Sequence, residues 1–559
     1  MTVETEVCIV GSGAGAGPIA YTLSQAGKKV LVLEKGPWYT EKDFSKDEIS
    51  VCRRSMYTPN LKDERHVLET KHKDHWDAKS TYDSGRDFWN GSLVGGSSNL
   101  MSGYFHRLKP NDFNLLSTYG PIEGANVADW PIKYEDLEPF YAMTEEVVGV
   151  SGKVVPHSFQ EPRSTPDFPY PKLTENYISE LIDQACNEMG YTSIPTPRAI
   201  VSKPKDERNP CYYSNYCGSY PCSSGAKGSA RAALLDPALK TGNLTITPYA
   251  KVFKLSTDES GKVVSAHYYD ENKNEIIVKA KTFVVACQAI ETSRLLFMSP
   301  GEKHPNGIGN NNGQLGKNII FSAGGVGHGE FPYDKFSDEE VTKLKSRGTF
   351  VNRSLQEWYE IDDEELGGKV KGGTVDFLWK HANPIARSIR LKWGKDGLIW
   401  GEALKQRMHH YFTQERHLTF EIFNDWLPTD DCFVTLDDEV TDKWGDPVAK
   451  VRLGYHEHDL KIGEYIAEKT EKVLEQMGAE RIRSSVSGSA PANLVAGGCR
   501  FGDDPQTSVL DKNCKVHDCE NLYVTDASFM PTGGSVPYTF TIYANSFRVA
   551  EHLKEKLSR

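Results

Sequence analysis

Gly11, Gly13 and Ala16 are spaced G-x-G-x-x-A directly after an apolar run, and Glu34 follows 23 residues after Gly11. The first glycine permits a tight turn, the second lets backbone N–H groups approach a pyrophosphate, and the small third residue lets a helix pack on a strand. A carboxylate at Glu34 accepts hydrogen bonds from a ribose 2′-OH and repels a 2′-phosphate. The competing reading is a glycine turn in an unrelated α/β unit. A second run of small residues, Gly91 to Ser98, includes Gly95, Gly96, Ser97 and Ser98, whose backbone and hydroxyl donors suit a phosphate; a plain flexible loop is the alternative. Leu522 to Thr525 reads as a short strand that delivers Asp526 to the ligand face of an open sheet, although Asp526 also suits a helix cap before Ser528. Cys211, Cys217 and Cys222 place three soft thiolates in one loop, as iron–sulfur or zinc sites require. Their spacing is not the tight C-x2-C pattern, so free or disulfide-paired cysteines compete with a metal site.

These residues need a scaffold, and the surrounding pattern supplies one. EVCIV, GSGAGAG, PIAYTLSQAG and KKVLVLE read as strand, turn, helix and strand, a βαβ unit over residues 6–34. Cys52 to Gly91 is charged and irregular, with Lys71, His72, Lys73, Asp74 and His75 in series, and reads as an extended surface segment. Helices are expected over Glu175–Met189 and Gly225–Leu239, on either side of the cysteine loop. Leu244–Thr247, Ala250–Thr257, Val263–Asp270 and Glu275–Val278 alternate like an antiparallel meander, and Thr282–Ala286 returns as a buried strand. A middle block near 320–480 mixes aromatic residues with strand-like runs and suits a sheet that caps a ligand. The fold class is therefore mixed α/β, in the α+β two-domain sense. A discontinuous Rossmann-type nucleotide domain spans 1–150, 205–320 and 486–559; an antiparallel-sheet substrate-binding cap spans 151–204 and 321–485.

Composition narrows the partners. Lys and Arg number 65 against 77 Asp and Glu, a net charge of −12, and no long basic block is present, which argues against general nucleic-acid binding. No apolar run approaches the ~18 residues of a transmembrane helix. MTVETEV carries no Lys or Arg before the first strand, so no secretory or twin-arginine signal is read, and a cytoplasmic location is expected unless a signal-bearing partner exports the chain. Eleven cysteines are too few for a disulfide scaffold; Cys8, Cys287, Cys514 and Cys519 read as structural.

Six blocks in order resemble the glucose-methanol-choline (GMC) family of flavin oxidoreductases, from Glu6 to about His552. They are GSGAGAG with Glu34; LVGGSSNLMSGYFHRLKPNDF; DWPIKYEDLEPFYAMTEEVVGVSG; AKVFKL before the Gly261 turn; VVACQAIETSRLLFMS; and GGCRFGDDPQTSVLDKNCKVHDCENLYVTDASFMPTGG. The resemblance implies FAD, with Gly11, Gly13, Ala16 and Glu34 on its ADP half. It also implies Gly95 to Ser98 along the pyrophosphate and flavin, Val252 meeting adenine through its backbone, and Asp526 at the pyrophosphate or ribityl region. CYYSNYCGSYPCSSGAKGSA resembles the cysteine-rich loop of the large flavoprotein subunits of bacterial sugar and polyol dehydrogenases. That likeness implies a three-iron cluster on Cys211, Cys217 and Cys222, and a small subunit or electron-acceptor protein as partner.

The sequence departs from the family where the proton is handled. A His before the small-residue Gly-Gly stretch and a second His or Asn before the terminal run are replaced by Leu494 and Pro537, and neither accepts a proton. Asn493 and Tyr538 flank the two positions and are the expected catalytic substitutes, with Tyr543 near them. His381, His409, His410 and His417 in the cap are the next candidates. The activity expected is oxidation of a CH–OH group of a sugar, polyol or glycoside by hydride transfer to flavin. Trp358, Trp379, Trp393, Trp400 and Trp426 suit sugar stacking there, or simply core. The alternative is a GMC-fold flavoenzyme of altered chemistry, an oxidase, lyase or isomerase, as the two replacements allow.

Overall fold

A computed structural model describes residues 2–559 apart from 53–55, 57–59, 73–74, 86–87, 89, 219, 490 and 492, and apart from the His72 side chain. The first sheet is built from β1 (Thr2–Val10), β2 (Val30–Leu33), β3 (Leu244–Thr247), β4 (Lys251–Thr257), β5 (Val263–Tyr269) and β6 (Glu275–Val285). Its order is β3-β2-β1-β6-β5-β4. The β3, β2, β1 and β6 strands run parallel; β2 and the core-crossing parts of β1 and β6 are almost wholly apolar, as strands covered on both faces must be, whereas the edge strand β3 alternates Leu244 and Ile246 inward with Thr245 exposed. The long β6 strand pairs with β5 along its first half and with the short strand Leu522–Val524 along its last three residues. Val10, Leu33, Val285 and Val524 thereby end side by side, and the residues that follow them meet at one edge, where open α/β sheets bind ligands.

A second, antiparallel sheet is built from β7 (Gly325–Pro332), β8 (Val351–Leu355), β9 (Gly373–Trp379), β10 (Glu415–Trp426) and β11 (Glu480–Ser485) in the order β11-β7-β10-β9-β8, with Ser193–Pro195 outside β8. Its period-two pattern is clearest in β10. Leu418, Phe420 and Ile422 enter a core shared with Ile178, Ile182, Ile462 and Ile466 of the helices Tyr177–Glu188 and Glu457–Gln476, whereas Thr419, Glu421 and Phe423 face a cavity.

Three expectations are corrected. The charged segment Cys52–Gly91 contains a hairpin, Val67–His72 with His75–Ser80, although Lys73 and Asp74 lie outside the described residues. Its first strand pairs in parallel with Pro447–Leu453, which pairs in turn with Cys432–Thr441. A boundary that assigns 1–150 to one unit and 321–485 to another cuts this sheet, because main-chain pairing between remote segments leaves no local sequence pattern. The β3 strand is not part of a meander but pairs in parallel with β2, and 275–285 is one continuous strand. No described helix is long and apolar enough to cross a membrane.

Candidate active site

One cavity of about 890 Å³ runs from the glycine turn to the face of the second sheet. At its first end Gly11 donates its N–H to Leu33 O at 2.8 Å and takes φ +89°; a Cβ there would lie 2.3 Å from Ala286 O. Gly15 is equally constrained, since a Cβ would lie 2.5 Å from Thr525 O. Gly13 differs, because a Cβ on it meets nothing within 4 Å and points into open cavity. The N–H groups of Gly13, Ala14 and Gly15 find no acceptor among the described residues, as expected of donors kept for a phosphate. Ala16 is fully buried in the core and supplies the close helix packing.

Glu34 is buried at the end of β2 and lines the cavity. Ser12 Oγ donates to it at 2.5 Å and the Gly36 N–H at 2.9 Å. Burial raises its pKa, against the opposing pull of those two donors. Each oxygen keeps a second acceptor site for a ribose hydroxyl. Val252 lies on the same wall. The cations at this end, Lys35, Lys251 and Arg294, are all paired, for example Lys35 to Glu64 at 2.8 Å and Arg294 to Asp442 at 2.7 Å. Gly95, at φ +93°, opens the second turn; a Cβ would lie 2.7 Å from Asn99 Nδ2 and 2.8 Å from Arg231 Cβ. Gly96 sits against Gly13, so the two turns form one cradle. Ser97 accepts the Gly91 N–H at 2.8 Å, and Ser98 donates to Gly95 O at 2.5 Å, so both hydroxyls stiffen this turn while lining the cavity. Asp526 accepts from Ser528 N and Oγ through one oxygen and from Gln288 N and Thr292 Oγ1 through the other. The Ser528 contact is the cap expected of it, and the residue also lines the cavity.

At the far end the two replacement residues are joined to each other's neighbours. Leu494 holds φ +57°, a left-handed conformation costly for a branched side chain, and packs against both apolar cores. The Tyr538 hydroxyl donates to Leu494 O and helps hold that loop in place. Burial, then the nearby Asp425 carboxylate, pushes the Tyr538 pKa well above 10, so this phenol is a donor already committed rather than a proton acceptor. The hydrogen bond to Leu494 O and the raised pKa both count against the expectation of Tyr538 as base. Tyr538→Phe is expected to cost about 1–3 kcal/mol of stability through the carbonyl it leaves unpaired. Flavin reduction should stay within ~10-fold of wild type, well short of the loss of a base; thermal melting with anaerobic stopped flow checks both. Asn493 is exposed and lines the cavity, but an amide does not take a proton at neutral pH.

A lining carboxylate with the chemistry to do so is Glu421. It lies on the cavity face of β10 and accepts a hydrogen bond from Tyr104 Oη at 2.8 Å. Gly96 to Gly103 are followed directly by Tyr104, and most of that run lines the cavity, so the chain leads from the phosphate cradle to Glu421. Directly opposite Glu421 on β9 stands Asp376, fully buried, which accepts from Thr196 at 3.2 Å and lies 3.2 Å from His106 Nε2. Burial, then the Glu421 and Asp376 carboxylates, drives the Tyr104 pKa well above 10 and keeps it the donor of that pair. Of the expected histidines, His381 lines the cavity; His409 and His410 lie on the helix Gly401–Thr413, and His417 pairs with Glu415 at 3.1 Å. Among the five tryptophans only Trp379 lines the cavity; Trp358 and Trp426 are core, and Trp393 and Trp400 are exposed.

Cys211, Cys217 and Cys222 surround a small separate cavity with Lys46 and Lys227. Burial, then Cys217, raises the Cys211 thiol to about 12; burial also acts on Cys222, but Lys227 and Ser224 outweigh it and lower its pKa. The three sulfurs are not drawn into a single-ion cage, since the one group of His, Cys or acid ligand atoms within 4.8 Å of one another among the described residues is Glu330, Glu415 and His417.

A glycine cradle at the ends of parallel strands, joined by one cavity to an antiparallel sheet, defines a dinucleotide-binding oxidoreductase with a roofed substrate chamber. Two family models described as GMC oxidoreductase match residues 70–320 and 428–546, and the chain belongs to that family. It is 29% identical to a 2-methyl-1,2-propanediol dehydrogenase of Mycolicibacterium austroafricanum, over 99% of this chain and 96% of that one. It is 26% identical to the fructose dehydrogenase large subunit of Gluconobacter japonicus, over 100% and 99%. A formate oxidase structure from Aspergillus oryzae RIB40 superposes with a TM-score of 0.64 at 14% identity, over 99% and 98%, a likeness of fold. FAD is the cofactor of the family, and the unpaired N–H groups, the open space at Gly13 and the carboxylate of Glu34 fit it.

Proposed function

We propose that the protein oxidises a CH–OH group of a sugar or polyol, with Glu421 as the proton acceptor. The observation that carries this reading is the Glu421 carboxylate, facing the cavity beyond the glycine cradle and oriented by Tyr104. Bound FAD supplies the two-electron acceptor. The alcohol carbon gives up its C–H hydrogen with the bonding pair, the hydroxyl proton passes to Glu421, and a carbonyl remains, so atoms and electrons balance. The Tyr104 hydroxyl holds the Glu421 carboxylate in place, while Leu494 and Tyr538 wall the chamber with apolar surface that excludes water. Anaerobic bleaching of the flavin by a panel of diols, ketoses, aldoses and glycosides tests it, followed by oxygen or a dye to separate oxidase from dehydrogenase. A flavin that no hydroxyl compound bleaches would favour the altered chemistry that Leu494 and Pro537 allow.

The three thiols are proposed to hold an iron–sulfur cluster that takes electrons onward to a small subunit or acceptor protein. Soft thiolates in one loop, with the Lys46 and Lys227 ammonium groups beside them to offset an anionic cluster, support the reading. Cys222→Ser is expected to remove most iron and acid-labile sulfide from anaerobically prepared protein while FAD content stays; metal-free wild-type protein with full turnover to a natural acceptor would sink it.

A further inference from the structure

The wall beside Glu421 is strongly cationic, and nothing in an oxidation of neutral alcohols requires that. In register across four strands, Leu378 of β9 stands opposite Thr419 of β10, Thr419 opposite His328 of β7, and His328 opposite Arg483 of β11. Lys380 follows two residues after Leu378, and His328, Lys380, Arg387 and Arg483 all line the cavity. Glu421 lies one two-residue step along β10 from this row, about 7 Å by strand geometry.

The charges at the two ends of the cavity are handled differently. At the nucleotide end every lining cation has a carboxylate partner. At the sheet end neither Lys380 nor Arg483 makes an ion pair among the described residues; Lys380 lies only over the Tyr411 ring, at 5.8 Å. Of the four carboxylates that line the whole cavity, Glu34, Glu291 and Asp526 belong to the nucleotide end and Glu421 alone to this one. The field is felt locally. Burial, then Lys380, His417, Arg483 and Arg387, pushes His328 down to about 4, and burial, then Arg387, lowers Lys380. In a chain of net charge −12, Lys380, half-buried, and Arg483, exposed on the edge strand, thus present positive charge to the cavity without an ion-pair partner among the described residues.

We propose that the substrate is an acid: a sugar or polyol that carries an anionic oxygen group, carboxylate or phosphate ester, seated on Arg483 and Lys380 while its hydroxyl-bearing carbon lies toward Glu421. Guanidinium and ammonium groups recognise such oxygens by charge-assisted hydrogen bonds, and both line the same cavity as Glu421. The proposal rests on the function proposed above and names the substrate class of that same chamber.

Two matched pairs test it on the FAD-loaded protein: methyl α-D-glucopyranoside against its 6-uronate, and D-glucose against D-glucose 6-phosphate. Binding is followed by calorimetry and flavin bleaching by stopped flow. At least one acid is expected to bind and to reduce the flavin ~10-fold or more faster in kcat/KM than its neutral partner, with the advantage shrinking as salt is raised. The pair that shows it tells carboxylate from phosphate. Arg483→Gln and Lys380→Gln should each lower the acid-to-neutral ratio of kcat/KM, and both are surface-lining changes that the sheet tolerates. Neutral members that bind and bleach as well as the acids overturn the proposal and leave the oxidase or dehydrogenase reading standing. Calorimetric binding of an acid without any bleaching keeps the anion site and removes the proposed reaction; no binding of either acid overturns the anion site.

Discussion

Glu421→Gln is expected to slow flavin reduction by substrate by ~10²–10⁴-fold, the range a positioned base contributes, with FAD content unchanged. Gln keeps the size of the side chain and an oxygen for the Tyr104 hydroxyl to donate to, so the cavity wall is preserved and only proton acceptance is lost. Asp376 does not substitute, since it is fully buried and already engaged by Thr196. Hydroxide from solvent offers the remaining route, so the residual rate of the variant should climb with pH where wild type has levelled off. Single-turnover reduction under anaerobic conditions across pH gives both numbers. A variant that reduces its flavin within about threefold of wild type places the base elsewhere, and His381 is then the next lining group to test.

The second large effect is expected at the glycine cradle. Gly13→Val should yield protein that folds but retains little or no FAD, because its new atoms occupy open cavity where the pyrophosphate belongs and meet no protein atom within 4 Å at Cβ. Gly13 is not among the residues with positive φ, so valine imposes no left-handed strain. Gly15→Ala is the contrast. Its Cβ would fall 2.5 Å from Thr525 O, a backbone atom, and should cost about 1–3 kcal/mol of stability with or without cofactor. Flavin-to-protein ratios and melting of the apoproteins separate the two mechanisms. Full FAD loading of Gly13→Val would mean that this turn does not hold the pyrophosphate.

Local pattern carried a good part of the molecule. The glycine spacing, the apolar runs on either side and Glu34 at the second strand's end place the nucleotide edge from residues within one βαβ unit, because turn chemistry and strand periodicity act over a few residues. Leu418, Phe420 and Ile422 alternating with Thr419 and Glu421 likewise mark β10 as a strand with one apolar and one polar face. Which solvent that polar face meets was not legible. Glu421 reads as an ordinary surface carboxylate until the Gly96–Tyr104 run, more than 300 residues earlier, is laid across it. The same holds for Tyr538, whose hydroxyl becomes a committed donor only when folding brings Leu494 O to it, and for His328 and Arg483, which become neighbours through pairing of β7 with β11. Sequence by itself determined the cofactor cradle and the elements that frame it, since those depend on near neighbours. The proton acceptor and the cationic wall were decided by tertiary structure alone, because desolvation and charge proximity arise from contacts between segments that share no local pattern.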